Sequence, residues 1–294
     1  MTRRSALRTI PLAAAAARVS VAQGPEGPSR TANFHGVPVH YESYGSGPDA
    51  LVFIHGGTCD LTFWRAQAPV YTSHRSLLID LPGHGLSAKP YTAYPMEFFA
   101  RSVETVMRDS RVERATFVGH SLGGPIVYAF LRLFPEKASA MALVDVDVRR
   151  GSAGPVDSSE QRARMARIAL HMRGVEGDRA FKQMVESCFT AQTPEAVRDE
   201  VRAKMLATPK YVRIASVTSP SSLPPPGKDE AFDLPAIAIQ AGSPVAEARY
   251  RAMKTLFPRL ELEQWNGSGH FLMMEDPERF NRSLETFLAK LPAL

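Results

Sequence analysis

A serine flanked by glycines is the feature of this sequence most able to do chemistry. The pentapeptide GHSLG, residues 119–123, follows the apolar run "ATFV" and precedes apolar residues at helical spacing. A serine between a strand and a helix lies on a sharp turn, and glycines two residues away on either side remove side chains that would collide across it. Its hydroxyl then projects beside free helix N–H groups, where an oxyanion would be stabilised. The pattern predicts a nucleophile at Ser121.

A serine hydroxyl is a poor nucleophile until a neighbouring base accepts its proton, and His270 has the setting of such a base. It follows the strand-like run "LELEQWN" and the turn "GSG", and it precedes the last helical pattern of the chain. Imidazole accepts a proton near neutral pH and can return it to a leaving group. No other histidine has a comparable setting. We therefore expect His270 to act on Ser121.

Further motifs accompany this pair in a characteristic order. FIHGG at residues 53–57 and DLPGHGLS at residues 80–87 precede the serine pentapeptide, and Gly269-His270 follows it. From about Asn33 to its end the chain resembles the α/β-hydrolase superfamily. The resemblance implies an eight-stranded, mostly parallel sheet flanked by helices, with Ser121 as nucleophile, His270 as base and an acid after an intervening strand.

The resemblance also implies an oxyanion hole of main-chain donors. One donor is the N–H of Leu122 and the other is that of Gly57, with Thr58 as the alternative to Gly57. Trp64 lies in "DLTFW", close to this loop, where it would either pack or touch substrate. Candidate substrate contacts are Trp64, Thr58, Met184 and Phe271.

The acid departs from the commonest pattern of the superfamily, which places an Asp after the penultimate strand. Here that stretch, "AIAIQAGSPVAEARY", contains only Glu247, inside the next helical pattern. Some members carry the acid at the end of the strand after the nucleophile helix, where this chain has Asp145. A carboxylate at a strand's carboxyl end faces the same crevice as the nucleophile, and Asp147 would point the same way if the strand continued. Asp145 is the expected acid, and Asp147 and Glu247 are alternatives.

The elements that must position these residues follow an alternating pattern. From Asn33 onward short β-rich runs alternate with helical patterns, which is typical of a parallel sheet covered on both faces. Helices are predicted over Met96–Asp109, 122–134 and Pro277–Leu288. Residues 149–233 have almost no strand signal and several amphipathic helical patterns, and therefore predict a helical lid inserted into a core of residues 31–148 and 234–294.

The first 30 residues read as an export signal followed by a flexible tail. They combine a basic, twin-arginine-like start, an Ala-rich apolar middle, small residues at Ser20 and Ala22, and a Pro/Gly-rich end. The mature protein would be periplasmic or secreted if the signal operates, and cytoplasmic otherwise.

The composition limits the kinds of partner and cofactor that we expect this protein to bind. A net charge of +5 spread over scattered Lys and Arg gives no nucleic-acid footprint, and no apolar run reaches the length of a membrane-spanning helix. Cys59 and Cys188 are too few for a disulfide framework, and their pairing stays open. No Cys/His grouping has metal-ligand spacing, so we expect neither a metal nor another cofactor. The sequence does not decide the oligomeric state.

Together these features predict a serine hydrolase that cleaves a carboxylic ester or lactone of a fairly hydrophobic small molecule through an acyl-enzyme. A carbon–carbon bond hydrolase, a thioesterase or an amidase would carry the same residues, because the leaving group is not recognised by the triad itself. A hydrolase-like receptor that binds its ligand with negligible turnover is the alternative of another class.

Overall fold

The computed structural model describes residues 27–146, 148, 158–243 and 246–292, without the side chains of residues 158, 159, 161, 162 and 246. The predicted export signal and Asp147 lie outside the described residues.

The described residues form one sheet of eight strands, in the order β1-β2-β4-β3-β5-β6-β7-β8. β2 is antiparallel to β1 and to β4, and every other neighbouring pair is parallel. The predicted mostly parallel α/β fold is confirmed. The strands are β1 Ser29–Phe34, β2 Val37–Tyr44, β3 Asp49–Ile54, β4 Ser76–Ile79, β5 Arg114–His120, β6 Ala138–Val144, β7 Ala236–Ala241 and β8 Leu260–Trp265.

Helices cover both faces of this sheet. Those described are α1 Ala68–Tyr71, α2 Met96–Asp109, α3 Gly123–Leu133, α4 Ser158–Arg173, α5 Val175–Glu186, α6 Glu195–Ala207, α7 Lys210–Thr218, α8 Ala246–Leu256, α9 Leu272–Glu275 and α10 Pro277–Leu288. Short 3-10 helices occupy Leu61–Gln67, Pro135–Lys137 and Ser219–Ser222. Within these described segments, no helix is both long enough and apolar enough to cross a membrane.

The central strands are apolar throughout because both of their faces are covered. In β3, Val52 and Ile54 belong to one buried cluster, with side chains from α2 and α3. Leu51 and Phe53 point to the opposite face and join a second cluster, with side chains from residues 61–71, α9 and α10. Successive side chains of a strand point to opposite faces, so a strand buried on both sides gives a continuous apolar run.

The first strand begins earlier than expected. Ser29 and Arg30 belong to β1, although the sequence assigned both to a flexible tail. They pair with Glu42 and Tyr41 of β2, and the Ser29 hydroxyl lies 2.8 Å from His40 Nε2. A polar edge strand contains few of the apolar residues that predict a strand, so the sequence gives little indication of it. Backbone hydrogen bonds to β2 order this part of the chain.

Between β6 and β7, the described residues form four helices, α4 to α7. The apolar side chains of α5 and α6 join the second core cluster, including Phe181, Val185 and Val201. These apolar stripes are therefore packing residues. Residues of α4 are largely exposed by comparison.

Candidate active site

Ser121 occupies a strained turn between β5 and α3. Its φ is +50°, in the left-handed region that non-glycine residues rarely adopt. A Cβ at Gly119 would lie 3.0 Å from the Gly123 backbone, and one at Gly123 only 2.4 Å from the Ile54 carbonyl oxygen. The lack of a side chain at Gly119 therefore lets the two ends of the turn come close together. The lack of one at Gly123 lets the start of α3 pack against β3.

The structure brings His270 to this serine. His270 Nε2 lies 2.9 Å from Ser121 Oγ, although 149 residues separate the two in sequence. His270 follows β8 and precedes α9. A contact of this length is that of a hydroxyl hydrogen-bonded to an imidazole, which is the arrangement required for proton transfer.

Asp145 lies on the other side of the imidazole, directly after β6. Its Oδ2 is 2.5 Å from His270 Nδ1, and its Oδ1 accepts a hydrogen bond of 3.1 Å from the Ala241 N–H. Because a carboxylate only accepts, Nδ1 carries the proton and Nε2 is left to accept from Ser121. Asp145 also has positive φ, at +45°.

Burial alone would raise the pKa of Asp145, but the hydrogen bond and positive charge of His270, aided by the Ala241 N–H, hold it below its usual value. The acid is therefore ionised at neutral pH and orients the imidazole as a charged partner.

Of the two alternative acids, the structure describes Glu247 and not Asp147. Glu247 lies in α8 and bonds Arg251 at 3.0 Å, one helical turn away. The alternative of Glu247 as partner of His270 is thus contradicted, because Asp145 fills that position. Asp147 is outside the described residues.

Two backbone donors are available beside the serine. Within the described segments, the N–H groups of Gly57 and Leu122 donate to no acceptor. The loop is close to the serine: a Cβ at Gly56 would lie 3.1 Å from Ser121 Cβ, and one at Gly57 would lie 3.5 Å from Leu122 Cδ2. The Thr58 N–H is equally free there, so the choice between Gly57 and Thr58 stays open.

His120 is hydrogen-bonded to the backbone of His270. Its Nε2 donates to the His270 carbonyl oxygen at 2.9 Å, and the two rings are 4.7 Å apart. Burial, and then the positive charge of His270, lower the pKa of His120 to about 3. His120 is therefore neutral at working pH and supports the backbone of His270 without competing for its proton.

Comparison with known proteins agrees with the observed fold. A family described as alpha/beta hydrolase fold matches residues 49–173. An uncharacterized protein of Mycobacterium tuberculosis is 27% identical over 271 residues, covering 86% of this chain and 79% of that protein. The structure of a thermophilic esterase from Thermogutta terrifontis has a TM-score of 0.76 at 20% identity, covering 89% of this chain and 98% of that chain. The chain has the α/β-hydrolase fold, and the family match supports its membership of the α/β-hydrolase superfamily.

A second solved structure has the same fold. Est816, described as an N-acyl homoserine lactone degrading enzyme, has a TM-score of 0.73 at 24% identity, over 88% of this α/β-hydrolase and 100% of that chain.

The candidate substrate contacts are mostly buried. Trp64 has no exposed surface and packs its ring against Phe53 and Phe280, and Phe271 is 1% exposed. The Thr58 hydroxyl donates to the neighbouring Gly57 carbonyl. Met184 is on the exposed side of α5. The expectation that Trp64 and Phe271 touch substrate is therefore wrong, because both are core residues in this α/β-hydrolase.

Sequence reasoning missed two contacts of the inserted helices with the site. Ser216 of α7 comes within 3.0 Å of where a Gly57 Cβ would stand, and its hydroxyl is 3.3 Å from His84 Nε2. The carbonyl of Cys188, just after α5, accepts the His270 N–H at 2.8 Å. A main-chain acceptor leaves no trace in residue type, and a lone helical serine has no motif around it, so no sequence signal marked either.

Proposed function

We propose that this α/β-hydrolase is a serine hydrolase that cleaves a carboxylic ester or lactone through an acyl-enzyme. The observation that carries the proposal is the continuous chain of hydrogen bonds from Asp145 through His270 to Ser121. Three groups from distant parts of the sequence meet in the order that proton transfer from a serine requires.

In the first half of the reaction Ser121 Oγ attacks the acyl carbon while His270 Nε2 takes the hydroxyl proton. The carbonyl oxygen becomes an oxyanion that accepts hydrogen bonds from the free N–H of Leu122 and from that of Gly57 or Thr58. Asp145 stabilises the imidazolium formed. Collapse breaks the bond to the alkoxy oxygen, which leaves with the proton from Nε2, and the acyl group stays on Ser121.

In the second half a water molecule replaces the alcohol. His270 Nε2 removes its proton as its oxygen attacks the acyl carbon, a second oxyanion forms in the same place, and collapse returns the proton to Ser121 Oγ. The carboxylic acid then leaves. For a lactone the alcohol and the acid are two ends of one product.

The similarity to an esterase and to a lactone-degrading enzyme supports ester or lactone chemistry. The inserted helices approach both the Gly57 loop and His270, and this supports their role as a lid. A preference for hydrophobic substrates has less support, since the apolar residues of α5 and α6 are packed in the core.

Release of p-nitrophenol from a short-chain ester tests the proposal. We expect a burst of one product per active protein molecule, absent in S121A, and covalent labelling of the parent protein by a fluorophosphonate. A parent protein that shows neither burst nor labelling would instead favour the receptor alternative. A panel of esters, lactones, thioesters and amides of graded chain length then assigns the substrate class.

The export signal is a separate proposal. We expect the protein recovered from outside the cytoplasm to lack its first residues, with cleavage near Ala22. Intact mass measurement decides this, and an uncleaved, cytoplasmic chain would contradict it.

A further inference from the structure

The backbone that carries His270 is held by a carboxylate that does not touch the imidazole. The Gly269 N–H donates to Glu275 Oε2 at 2.7 Å, and the Thr193 hydroxyl donates to Glu275 Oε1 at 3.1 Å. Glu275 is the last residue of α9, and Thr193 belongs to the segment between α5 and α6. One carboxylate therefore joins the histidine loop to the inserted helices.

This junction is tightly packed. A Cβ at Gly269 would lie 2.5 Å from Glu275 Oε1 and 2.6 Å from the Cys188 carbonyl oxygen. Thr193 is buried, and its hydroxyl oxygen also accepts the Thr190 N–H at 3.0 Å. Gly269 is therefore packed closely against the inserted helices, and Glu275 links it to Thr193.

The charge of Glu275 also bears on the site. Burial raises the pKa of Glu275 and the negative charge of Asp145 adds to the rise, whereas the Gly269 N–H, the Thr193 hydroxyl and the positive charge of His270 oppose it. The negative charge of Glu275 and the positive charge of a protonated His270 attract each other. Glu275 therefore acts on His270 through space as well as through the backbone.

Other titratable or charged groups face the same junction. They are Asp145 after β6, His120 of β5, Cys188 after α5, and Arg198 of α6, which donates to the carbonyls of Thr190 and Thr193 at 2.6 and 3.0 Å. Of these, Asp145, His120 and, through its main-chain carbonyl, Cys188 contact His270 itself. An experiment on Glu275 must therefore leave them in place.

We propose that Glu275 is a positioning residue for His270. It fixes the backbone before the imidazole by bridging Gly269 to Thr193, and its charge stabilises the imidazolium that forms when Ser121 gives up its proton. The proposal rests on the proposed serine hydrolase function. It makes the segment between α5 and α6 part of the machinery that aligns the base.

Three variants separate the backbone and charge contributions. E275Q keeps an acceptor for Gly269 and a group able to donate to the Thr193 oxygen, but removes the charge. E275A removes the charge and both hydrogen bonds, to Gly269 and to Thr193. The control is E278Q, which makes the same change of charge in α10 at a residue whose side chain is 89% exposed.

We expect kcat of E275A, per active site titrated by the burst, to fall about 10- to 100-fold with KM nearly unchanged, because a small misplacement of a catalytic group costs this much. In E275Q kcat falls only a few-fold, and the acidic limb of the kcat/KM profile moves to lower pH. E278Q matches the parent protein. Equal kcat in E275A and the parent, with only a lower melting temperature, would show a purely structural role and overturn the proposal.

A second readout does not depend on ester hydrolysis. The ring resonances of His270, assigned by their loss in H270A, are titrated by NMR in the parent, E275Q and E278Q. Loss of the nearby negative charge should move the midpoint in E275Q about 0.5 pH unit lower. An unchanged midpoint overturns the proposal. If the parent lacks esterase activity, the proposed function fails, while this shift still decides the relation of Glu275 to His270.

Thr193 supplies the conservative test of the bridge from the inserted helices. T193V removes the hydroxyl and should lower kcat by a few-fold, whereas T193S keeps the hydroxyl and should restore parental kcat. A loss in T193S with none in T193V would show that the methyl group, and not the hydrogen bond, matters, and would remove Thr193 from the proposal.

Discussion

The two loops that carry Ser121 and His270 are held in place in opposite ways. The turn at Ser121 is set largely by its own neighbours, since Gly119, Gly123 and the positive φ of Ser121 define it. Two distant contacts complete it: Ile54 packs against Gly123, and the Val144 carbonyl accepts the Ser121 N–H at 3.1 Å. The loop at His270 is held from elsewhere: its ring by Asp145, its carbonyl by His120 and its N–H by the Cys188 carbonyl.

This difference indicates where changes will be felt. A local turn fails when its own residues change, whereas a loop held by distant partners fails when any of them moves. The inserted helices contact the histidine loop through Cys188 and, at a second point, through Thr190, whose hydroxyl donates to the Gly267 carbonyl at 2.8 Å. Substitutions in the insertion should thus alter proton transfer by His270 more than the conformation of Ser121.

The largest expected effect comes from the partner of the imidazole. D145N should lower kcat by about 10³- to 10⁴-fold, because an amide can present a donor to Nδ1 and so favour the wrong tautomer. Stopped-flow or steady-state assay of an activated ester measures this. E247Q is the control and should retain parental kcat; the reverse result would reassign the acid.

The next effect tests the local turn. G123A places a methyl group 2.4 Å from the Ile54 carbonyl, and we expect a loss of about 3 kcal/mol in the free energy of unfolding. Urea unfolding measures it. The control G174A changes a glycine whose Cβ would come no closer than 3.7 Å to its nearest neighbour, the His171 carbonyl oxygen. Similar stability of G123A and G174A would mean that the turn is less constrained than its geometry indicates.

A smaller effect is expected where an inserted helix meets the serine side of the site. G57A would bring a methyl group 3.0 Å from Ser216 Cβ, and kcat/KM should fall about tenfold as the donor loop or α7 shifts. The double variant G57A/S216G relieves the contact and should recover part of the loss. No recovery would show that α7 does not limit the position of this loop.

The smallest effect concerns acid stability. The pKa of Asp145 is depressed by His270 against the opposing effect of burial. A carboxyl with a lowered folded pKa contributes stability that is complete above its unfolded pKa of about 3.9 and is lost as pH falls toward the folded value. D145N should therefore lose less stability than the parent between pH 5 and pH 3, by about 1 kcal/mol or less, in urea unfolding. An identical loss would mean that Asp145 has no pH-linked role.

Motifs with local geometry were the most predictable part of the site. The sequence placed Ser121 on its turn, and it predicted α2 and α10 with the bounds that the structure has. Each depends on residues close in sequence: glycine spacing, helical periodicity or a proline at a helix start. Asp145 was favoured over Glu247 by resemblance and by its expected place at the end of a strand, because neither residue lies in a local motif that marks the partner of His270.

The misjudged residues have a common physical cause. Trp64 and Phe271 are large side chains beside predicted site residues, and proximity in sequence suggested contact with substrate. Whether such a ring faces a cleft or the core depends on what packs over it, here Phe280 against Trp64 and Phe63 against Phe271. Strand β1 was missed because its order comes from pairing with β2.

The amino-acid sequence by itself determined the turn at Ser121 and the alternation of strands and helices, because both follow from local sterics and periodicity. It also singled out His270, by its position between a strand-like run and a helical pattern. The tertiary structure alone decided which carboxylate meets the imidazole, that the inserted helices hold the histidine loop through Cys188 and Thr190, and that Glu275 lies behind it. Those contacts join residues tens to more than a hundred positions apart, or involve main-chain atoms that every residue has, so only the folded chain brings them together.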